Sequence, residues 1–256
     1  MLPEERQSFI YSYLYQHAYV TFSALAQLLN VSHMTIRRDI QMLEKDGKVT
    51  IISGGAKLNE ALKQELPWQE KAQLHHQTKR NIARVAETLV ESGQVIYLDA
   101  GTTTYEIARS IGDQLKKVTI VTNDFTIGDY LMERQHITFF HTGGQVDRRN
   151  RSCIGNSAAA FIRGLNLDIA FISTSSWDIE HGLSTPDEGK ALVKQAALAS
   201  SRRNVLVSDS SKYGKYGMFH ICPLQAFDDI IHDDLLPEEL QEKIKQLAIN
   251  LHVVKS

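Results

Sequence analysis

The chain of 256 residues is 43% hydrophobic and 23% charged, enough apolar material for one large domain or for a small domain and a medium one, which excludes a disordered chain. Its formal net charge of -2 excludes a molecule-wide positive field, so any contact with nucleic acid has to be local. Two cysteines without paired spacing, Cys153 and Cys222, exclude a disulfide framework and a thiolate zinc site.

The opening residues Met1 to Arg6 form neither a basic leader with an apolar core nor a transit peptide. No apolar run reaches bilayer length, so a cytoplasmic protein with no membrane partner is expected. Two short helices are legible between Val20 and Gly47. Thr21 can cap the first, with Phe22, Leu25, Ala26 and Leu29 turned inward; Asn30-Val31 makes the turn, and Ser32 can cap the second. Ile36, Ile40 and Leu43 form the buried stripe of that second helix. His33, Met34, Thr35, Arg37 and Arg38 are left near its exposed N-terminal half, where a recognition helix meets the major groove.

Any two amphipathic helices joined by a turn give this pattern, so up to Gly47 a plain helical hairpin stays open. The next segment favours DNA reading. Lys48 to Ile52 is β-branched, Ser53-Gly54-Gly55 turns, and Ala56 to Leu58 can return as a second strand, which makes a wing. Ser32, His33, Met34, Thr35, Arg37 and Arg38, with Lys57 of the wing, are the candidate DNA contacts. From Met1 to Leu58 six basic residues stand against five acidic ones, a charge of only +1. One copy therefore neutralises few phosphates, and specific binding calls for a dimer or higher homo-oligomer.

Ala56 to Gln77 is polar and lacks apolar periodicity, which suggests a linker over 59–77 between a domain at 1–58 and another at 78–256. Beyond it helices alternate with short apolar strands, placed at Val95–Asp99, Val118–Thr122, Ile137–His141, Ile169–Ser173, Val205–Ser208 and Ile230–His232. That alternation is the mark of a parallel α/β layer. A helix over Lys79–Glu91 carries Ile82, Val85, Ala86, Leu89 and Val90 on one face.

The first of these strands ends in Asp99-Ala100-Gly101-Thr102-Thr103-Thr104 and runs into a helix. Glycine lets the backbone approach a ligand, and a helix N-terminus offers free N–H groups, so the turn suits an anion such as phosphate; Thr102 or Thr103 merely capping the helix is the competing reading. Asn123, Gly143-Gly144 and Asp209 to Lys212 close later strands, and a parallel sheet brings them to one edge with Asp99. Lys212 would supply positive charge there, or would simply be an exposed loop lysine. Lys190 and Lys194, four apart on a helix, face either an acidic ligand or solvent. The candidate effector contacts are Asp99, Gly101, Thr102, Thr103, Thr104, Asn123, Gly143, Gly144, Lys194, Asp209 and Lys212.

Val31-Ser-His-Met-Thr-Ile-Arg-Arg-Asp-Ile, with Leu43-Glu44, Gly47 and Gly54-Gly55-Ala56, closely resembles the recognition helix and wing of the DeoR-type family of bacterial carbohydrate-metabolism regulators. Asp99 to Thr103, Thr122-Asn123, Gly143-Gly144 and Asp209 to Gly214 resemble the motifs of its sensor domain, so the likeness spans the chain. It implies an α/β protein with a small N-terminal winged helix-turn-helix and a C-terminal parallel α/β sensor domain similar to ribose-5-phosphate isomerase. It further implies a repressor of a carbohydrate or sugar-acid operon, binding double-stranded operator DNA and released by a phosphorylated sugar or sugar-acid effector. Two departures stand out. Ile51-Ile52-Ser53 replaces the family's charged wing tip, and Ser173 to Trp177 replaces its Gly-x-Asp-Gly, which removes an acid-base group and suggests that Trp177 shapes the pocket.

The alternative is an isomerase-like enzyme using Asp99, Asp178, Asp187 or Glu188 as base, against which an entire DNA-reading segment weighs. With no Walker A and no Gly-x-Gly-x-x-Gly, and with ten histidines scattered without ligand spacing, neither a cofactor nor a metal is expected. His141 and His181 are of interest only as hydrogen-bond partners of a ligand.

Overall fold

The computed structural model describes residues 2–17, 19–58 and 65–256. The chain divides into two compact units, Met1–Leu62 and Lys63–Ser256.

The first unit runs α1 (Pro3–His17), β1 (Tyr19–Thr21), α2 (Phe22–Leu29), α3 (His33–Lys45), β2 (Val49–Ile52) and β3 (Gly55–Leu58). Thr21 Oγ1 accepts from Ala24 N–H and Ser32 Oγ from Thr35 N–H, the two caps expected from the sequence. Asn30, at φ 51, makes the left-handed turn between the helices. Ile36, Ile40 and Leu43 meet Ile10 and Leu14 of α1 and Leu25 of α2 in one core, closed by Val49 and Ala56 of the wing. Burying each of these large side chains is worth roughly 1.5–3 kcal/mol, which a unit this small needs. The wing gains a third strand, because β1 pairs antiparallel with β3 and joins the start of α2 to the hairpin.

The second unit opens with α4 (Trp68–Gln73) and α5 (His76–Thr88), then runs β4 (Val95–Leu98), α6 (Thr102–Asp113), β5 (Thr119–Thr122), α7 (Phe125–Met132), β6 (Thr138–His141), β7 (Gln145–Asp147), β8 (Ser152–Ile154) and α8 (Gly155–Arg163). It continues through β9 (Leu167–Ser173), β10 (Ser176–Asp178), β11 (Gly182–Thr185), α9 (Glu188–Ser200), β12 (Ser201–Val207), β13 (Phe219–Cys222), β14 (Asp229–Asp233), α10 (Glu238–Lys245) and β15 (Asn250–Val254). Seven strands form one sheet in the order β15-β14-β12-β9-β4-β5-β6, and every pair in it is parallel. All six strands expected from the apolar runs are there; β15 is an addition.

Ile96, Leu98, Ile120, Phe171, Val205 and Val207 point to one face, under Ile82 of α5, Ile107 of α6 and Ile127 of α7. Their neighbours Tyr97, Ala170, Ile172 and Leu206 point to the other face and are just as buried, as a sheet covered on both sides requires. Two small sheets, β10-β11-β13 and β7-β8, stand beyond the carboxyl ends of the main strands.

The expected linker is corrected by this arrangement. Residues 59–64 lie outside the described residues, but from Glu65 onward the polar stretch belongs to the second unit. Trp68 N–H donates to Arg149 O, and Lys79, 3% exposed, donates its ammonium to Leu74 O at 2.6 Å and to Lys71 O. Charges that suggest solvent in the sequence are here spent on internal partners.

Candidate functional site

Two groups of residues carry chemistry. In the first unit, α3 presents Met34, Arg37 and Arg38 outward; Met34 is 74% exposed, and neither arginine makes a hydrogen bond or ion pair among the described residues. Lys57 is exposed on β3. The other candidates are already engaged. Ser32 Oγ caps the helix and lies 2.9 Å from Thr35 Oγ1, while His33 Nε2 lies 2.9 Å from Ser23 Oγ, clamping α3 to α2. Behind this face Asp39 is buried and accepts from Arg6 Nε at 2.5 Å and Nη2 at 3.1 Å, a two-pronged pair that fixes the rotation of α3 against α1.

In the second unit a pocket opens at the carboxyl ends of β4, β5, β9 and β12. Asp99, Gly101, Thr102, Thr103, Asn123, Lys194, Asp209 and Lys212 line it, so eight of the eleven candidates meet there. The β4–α6 turn is its floor. Gly101 caps α6 without a side-chain hydrogen bond, and neither the Thr102 nor the Thr103 hydroxyl finds a partner among the described residues, so the capping reading of these threonines is not what is observed. Gly101 is needed for closeness, since a Cβ there would lie 2.5 Å from Ser173 Oγ. Asp124 Oδ2 accepts from Gly101 N–H and Oδ1 from the amides of Thr126 and Ile127; burial pushes its carboxyl up to about 6.

Three candidates stand apart, and Asn123 is less free than expected. Thr104 Oγ1 donates to Asp99 O and Gly101 O, which makes it a brace of the turn. Gly143 and Gly144, at φ 64 and 115, carry the chain from β6 into β7 without lining the pocket, and a Cβ at Gly144 would lie 3.2 Å from Ala158 N. Asn123 does reach the pocket, but its side chain is held between Tyr97 OH and Cys153 O. Trp177 also stays out of the lining; it is fully buried against Tyr213, with Nε1 donating to Ser208 Oγ. His141 stacks on Phe125 and His181 pairs with Asp178, both outside the lining. Among the described residues no His/Cys/Asp/Glu cluster could hold a metal, and no helix is long and apolar enough to cross a membrane.

What sequence reasoning missed is the charge that arrives from elsewhere. Glu65, Lys71 and Lys79 line the same pocket, with Asn150 and Ser152 from the β7–β8 hairpin, and Lys190, which the sequence leaves open between an acidic ligand and solvent, joins them. Glu65 Oε2 accepts from Lys190 Nζ at 3.0 Å and Lys71 Nζ at 3.2 Å, and Oε1 from Ser175 Oγ at 2.9 Å. Burial alone would raise this carboxyl, but the two ammonium groups outweigh it and hold it well below the usual carboxylate range. Asp209 is likewise held low against its burial, by Lys212, His75 and Lys79. Burial brings the Lys79 ammonium down to about 8. Asp99 Oδ2 accepts from the Ser173 amide and hydroxyl and from Lys194 Nζ. Of the four carboxylates an isomerase reading would use as base, only Asp99 lines the pocket, and it is held by these three donors. Lys71, Lys79, Lys190, Lys194 and Lys212 against Glu65, Asp99 and Asp209 leave an excess of two positive charges around a bare helix N-terminus.

Comparison with known proteins agrees with the two-unit division. Residues 6–61 match the family described as DeoR-like helix-turn-helix domain, and residues 74–234 the DeoR C terminal sensor domain. The chain is 44% identical to the HTH-type transcriptional regulator YgbI of Escherichia coli strain K12 over 100% of both chains. It is 30% identical to a putative aga operon transcriptional repressor of Escherichia coli O157:H7, covering 98% of this chain and 93% of that one. Among solved structures it is similar to ribose 5 phosphate isomerase A from Neisseria gonorrhoeae, at 18% identity over 53% of this chain and 52% of that chain, with a TM-score of 0.40.

Proposed function

Because the chain belongs to the DeoR family of transcriptional regulators, with its DNA-binding helix-turn-helix and its sensor domain both present, we propose that it represses a carbohydrate or sugar-acid operon in the cytoplasm until a phosphorylated metabolite of that class fills the pocket of the second unit. The name of its aga operon relative supports repression. The observation that carries the effector reading is the pocket's two-charge positive excess around a helix N-terminus whose Thr102 and Thr103 hydroxyls have no partner among the described residues. A phosphate dianion matches that charge, accepts from the free amides, and takes the hydroxyls of Thr102 and Thr103 as further donors. Lys212, after β12, and Lys194, from α9, line the same pocket, while Asp99 and Asp209 orient those lysines.

On the DNA side, Arg37 and Arg38 supply charge and bidentate donors, Met34 and Thr35 supply apolar contact, and Lys57 reaches a phosphate from the wing. Ser32 and His33 act through the helix they brace. Two copies at least bind paired half-sites, and the effector lowers affinity only in so far as it prefers the DNA-incompetent state.

A gel-shift titration against the DNA upstream of the gene tests this, with a panel of sugar and sugar-acid phosphates as competitors. The Arg37→Ala/Arg38→Ala variant should lose the shift yet keep its stabilisation by the releasing metabolite. Lys212→Ala should keep the shift and lose the release. A wild-type protein with no preference over random DNA would refute the proposal.

A further inference from the structure

Glu65 stands apart from the other two carboxylates of the pocket. Asp99 follows strand β4 directly and Asp209 follows β12 after Ser208, and their partners Ser173 and Ser211 belong to the same rim of the sheet. Glu65 comes from outside the sheet, seven residues after Leu58, the end of the wing's second strand. Its carboxylate nevertheless reaches the pocket and takes donors from α4, from the β9–β10 connection and from α9, with Thr185 Oγ1 of β11 at 3.5 Å. Two ammonium groups and a hydroxyl around one anion make the kind of donor set an external phosphate would choose.

We propose that Glu65 is an internal competitor for the effector: its carboxylate holds the Lys71–Lys190 pair in the unliganded protein, and the anionic group of the effector takes that pair by displacing it. This rests on the effector reading above. With Glu65 in place the pocket's excess is two positive charges, and without it three. An incoming dianion and the resident carboxylate therefore draw on the same lysines and repel each other in a site shielded from water. Lys190 is left with Asp147 Oδ2 at 3.2 Å when Glu65 departs, so it is not stranded.

Release has a direction along the chain. Besides Glu65, the segment is held by the Trp68 amide on Arg149 O and by Lys79 on the last carbonyls of α4. Trp68 Nε1 finds no hydrogen-bond partner among the described residues, and the indole is held instead by its edge contact with Tyr105 and by the Arg151 guanidinium over its ring. Freeing Glu65 thus removes the side-chain anchor at the start of this segment, over Glu65 to Lys71. The latched form is the one that binds DNA, and effector binding and DNA binding oppose each other through a single carboxylate.

Calorimetric titration of inorganic phosphate into the full-length protein and its Glu65→Gln variant tests this. The variant should bind phosphate at least tenfold more tightly and, without phosphate, should bind its operator more weakly than wild type. Equal or weaker phosphate binding by the variant overturns the latch and leaves the effector site standing; absence of phosphate binding in both proteins defeats the site and the latch together. Hydrogen exchange on the unaltered chain covers the case in which the variant does not fold. Phosphate should speed exchange of the amides over 65–73 while slowing those over 102–104, and slowing in both segments overturns the proposal.

Discussion

Replacing Gly101 by alanine tests whether the β4–α6 turn is as closely packed as its geometry indicates. The backbone there is extended, with φ at 169°, so alanine brings no conformational strain and any cost comes from contact. Its Cβ would sit 2.5 Å from Ser173 Oγ and 3.0 Å from Ser173 Cβ. The hydroxyl has to rotate away, which gives up its 2.9 Å contact with Asp99 Oδ2. A hydrogen bond to a charged group contributes about 1.5–3 kcal/mol, and the residual crowding adds about 1 kcal/mol, so roughly 3 kcal/mol should be lost. For a unit of this size that lowers Tm by roughly 6–12 °C. Urea unfolding followed by tryptophan fluorescence reads the right unit, since both tryptophans of the chain, Trp68 and Trp177, lie in it. In a Ser173→Gly background the clash partner is gone, and the same alanine should cost less than about 1 kcal/mol. A Gly101→Ala protein within about 0.5 kcal/mol of wild type, or an equal cost in both backgrounds, would refute the packing argument.

Other perturbations separate binding from bracing. Thr102→Val/Thr103→Val should weaken phosphate binding several-fold with little change in Tm, whereas Thr104→Val, which loses bonds to Asp99 O and Gly101 O, should lower Tm; the opposite pattern in thermal unfolding would return the first two threonines to a structural role. Arg6→Ala leaves the Asp39 carboxylate buried under α3 and should destabilise the first unit by about 2 kcal/mol, below the range for fully stranded charges because Gln7 Nε2 still donates to Asp39 Oδ1. Arg6→Met/Asp39→Met should recover most of that loss in circular dichroism melts of the full chain; a double variant no better than the single one would sink the idea of a stranded charge. Asp124, whose carboxyl burial lifts from 3.8 to about 6, stays protonated in the folded protein where the unfolded chain has ionised. Its contribution to stability is therefore full below about pH 4 and is lost as pH rises through 6, by roughly 3 kcal/mol. Asp124→Asn should flatten that part of the stability-against-pH curve measured in urea, and a difference curve with no slope between pH 4 and 6 would contradict the raised carboxyl.

The strand ends were readable from the sequence because each combines two independent signals, an apolar run and an abrupt Asp, Asn or Gly-Thr stop. Asp99 to Thr103 and Asp209 to Lys212 are such places, and both line the pocket. Gly143-Gly144 shows the same signal put to a different use, a positive-φ passage into a hairpin, because a glycine pair does not say whether ligand or backbone is the close neighbour. The stretch from Glu65 to Gln77 reads as a linker for a physical reason. A buried ion pair has the composition of a solvated one, and the only hint was Trp68, a large aromatic residue that a free linker has no use for. Lys79, 3% exposed, shows how completely composition can mislead where carbonyl oxygens collect an ammonium. β1 and β10 are three residues each, too short for periodicity to register, and exist because a neighbouring strand offers them a ladder.

The order of strands in the main sheet bears on how the protein is made. β5 joins β4 and β6 joins β5, then β9 takes the other side of β4, and β12, β14 and β15 follow outward one by one. Every strand is added at an open edge in the order in which the ribosome delivers it, and none has to be threaded between two that are already paired. Glu65, made before β4, the first strand of this sheet, has no complete set of partners until α9 is synthesised. A nascent chain stopped short of β15 would present the edge of β14, whose Ile230 and Ile231 are wholly buried in the finished protein, as an adhesive border. Ribosomal stalling or a C-terminal truncation at that point should thus be felt as aggregation of newly made chains before it is felt as lost regulation.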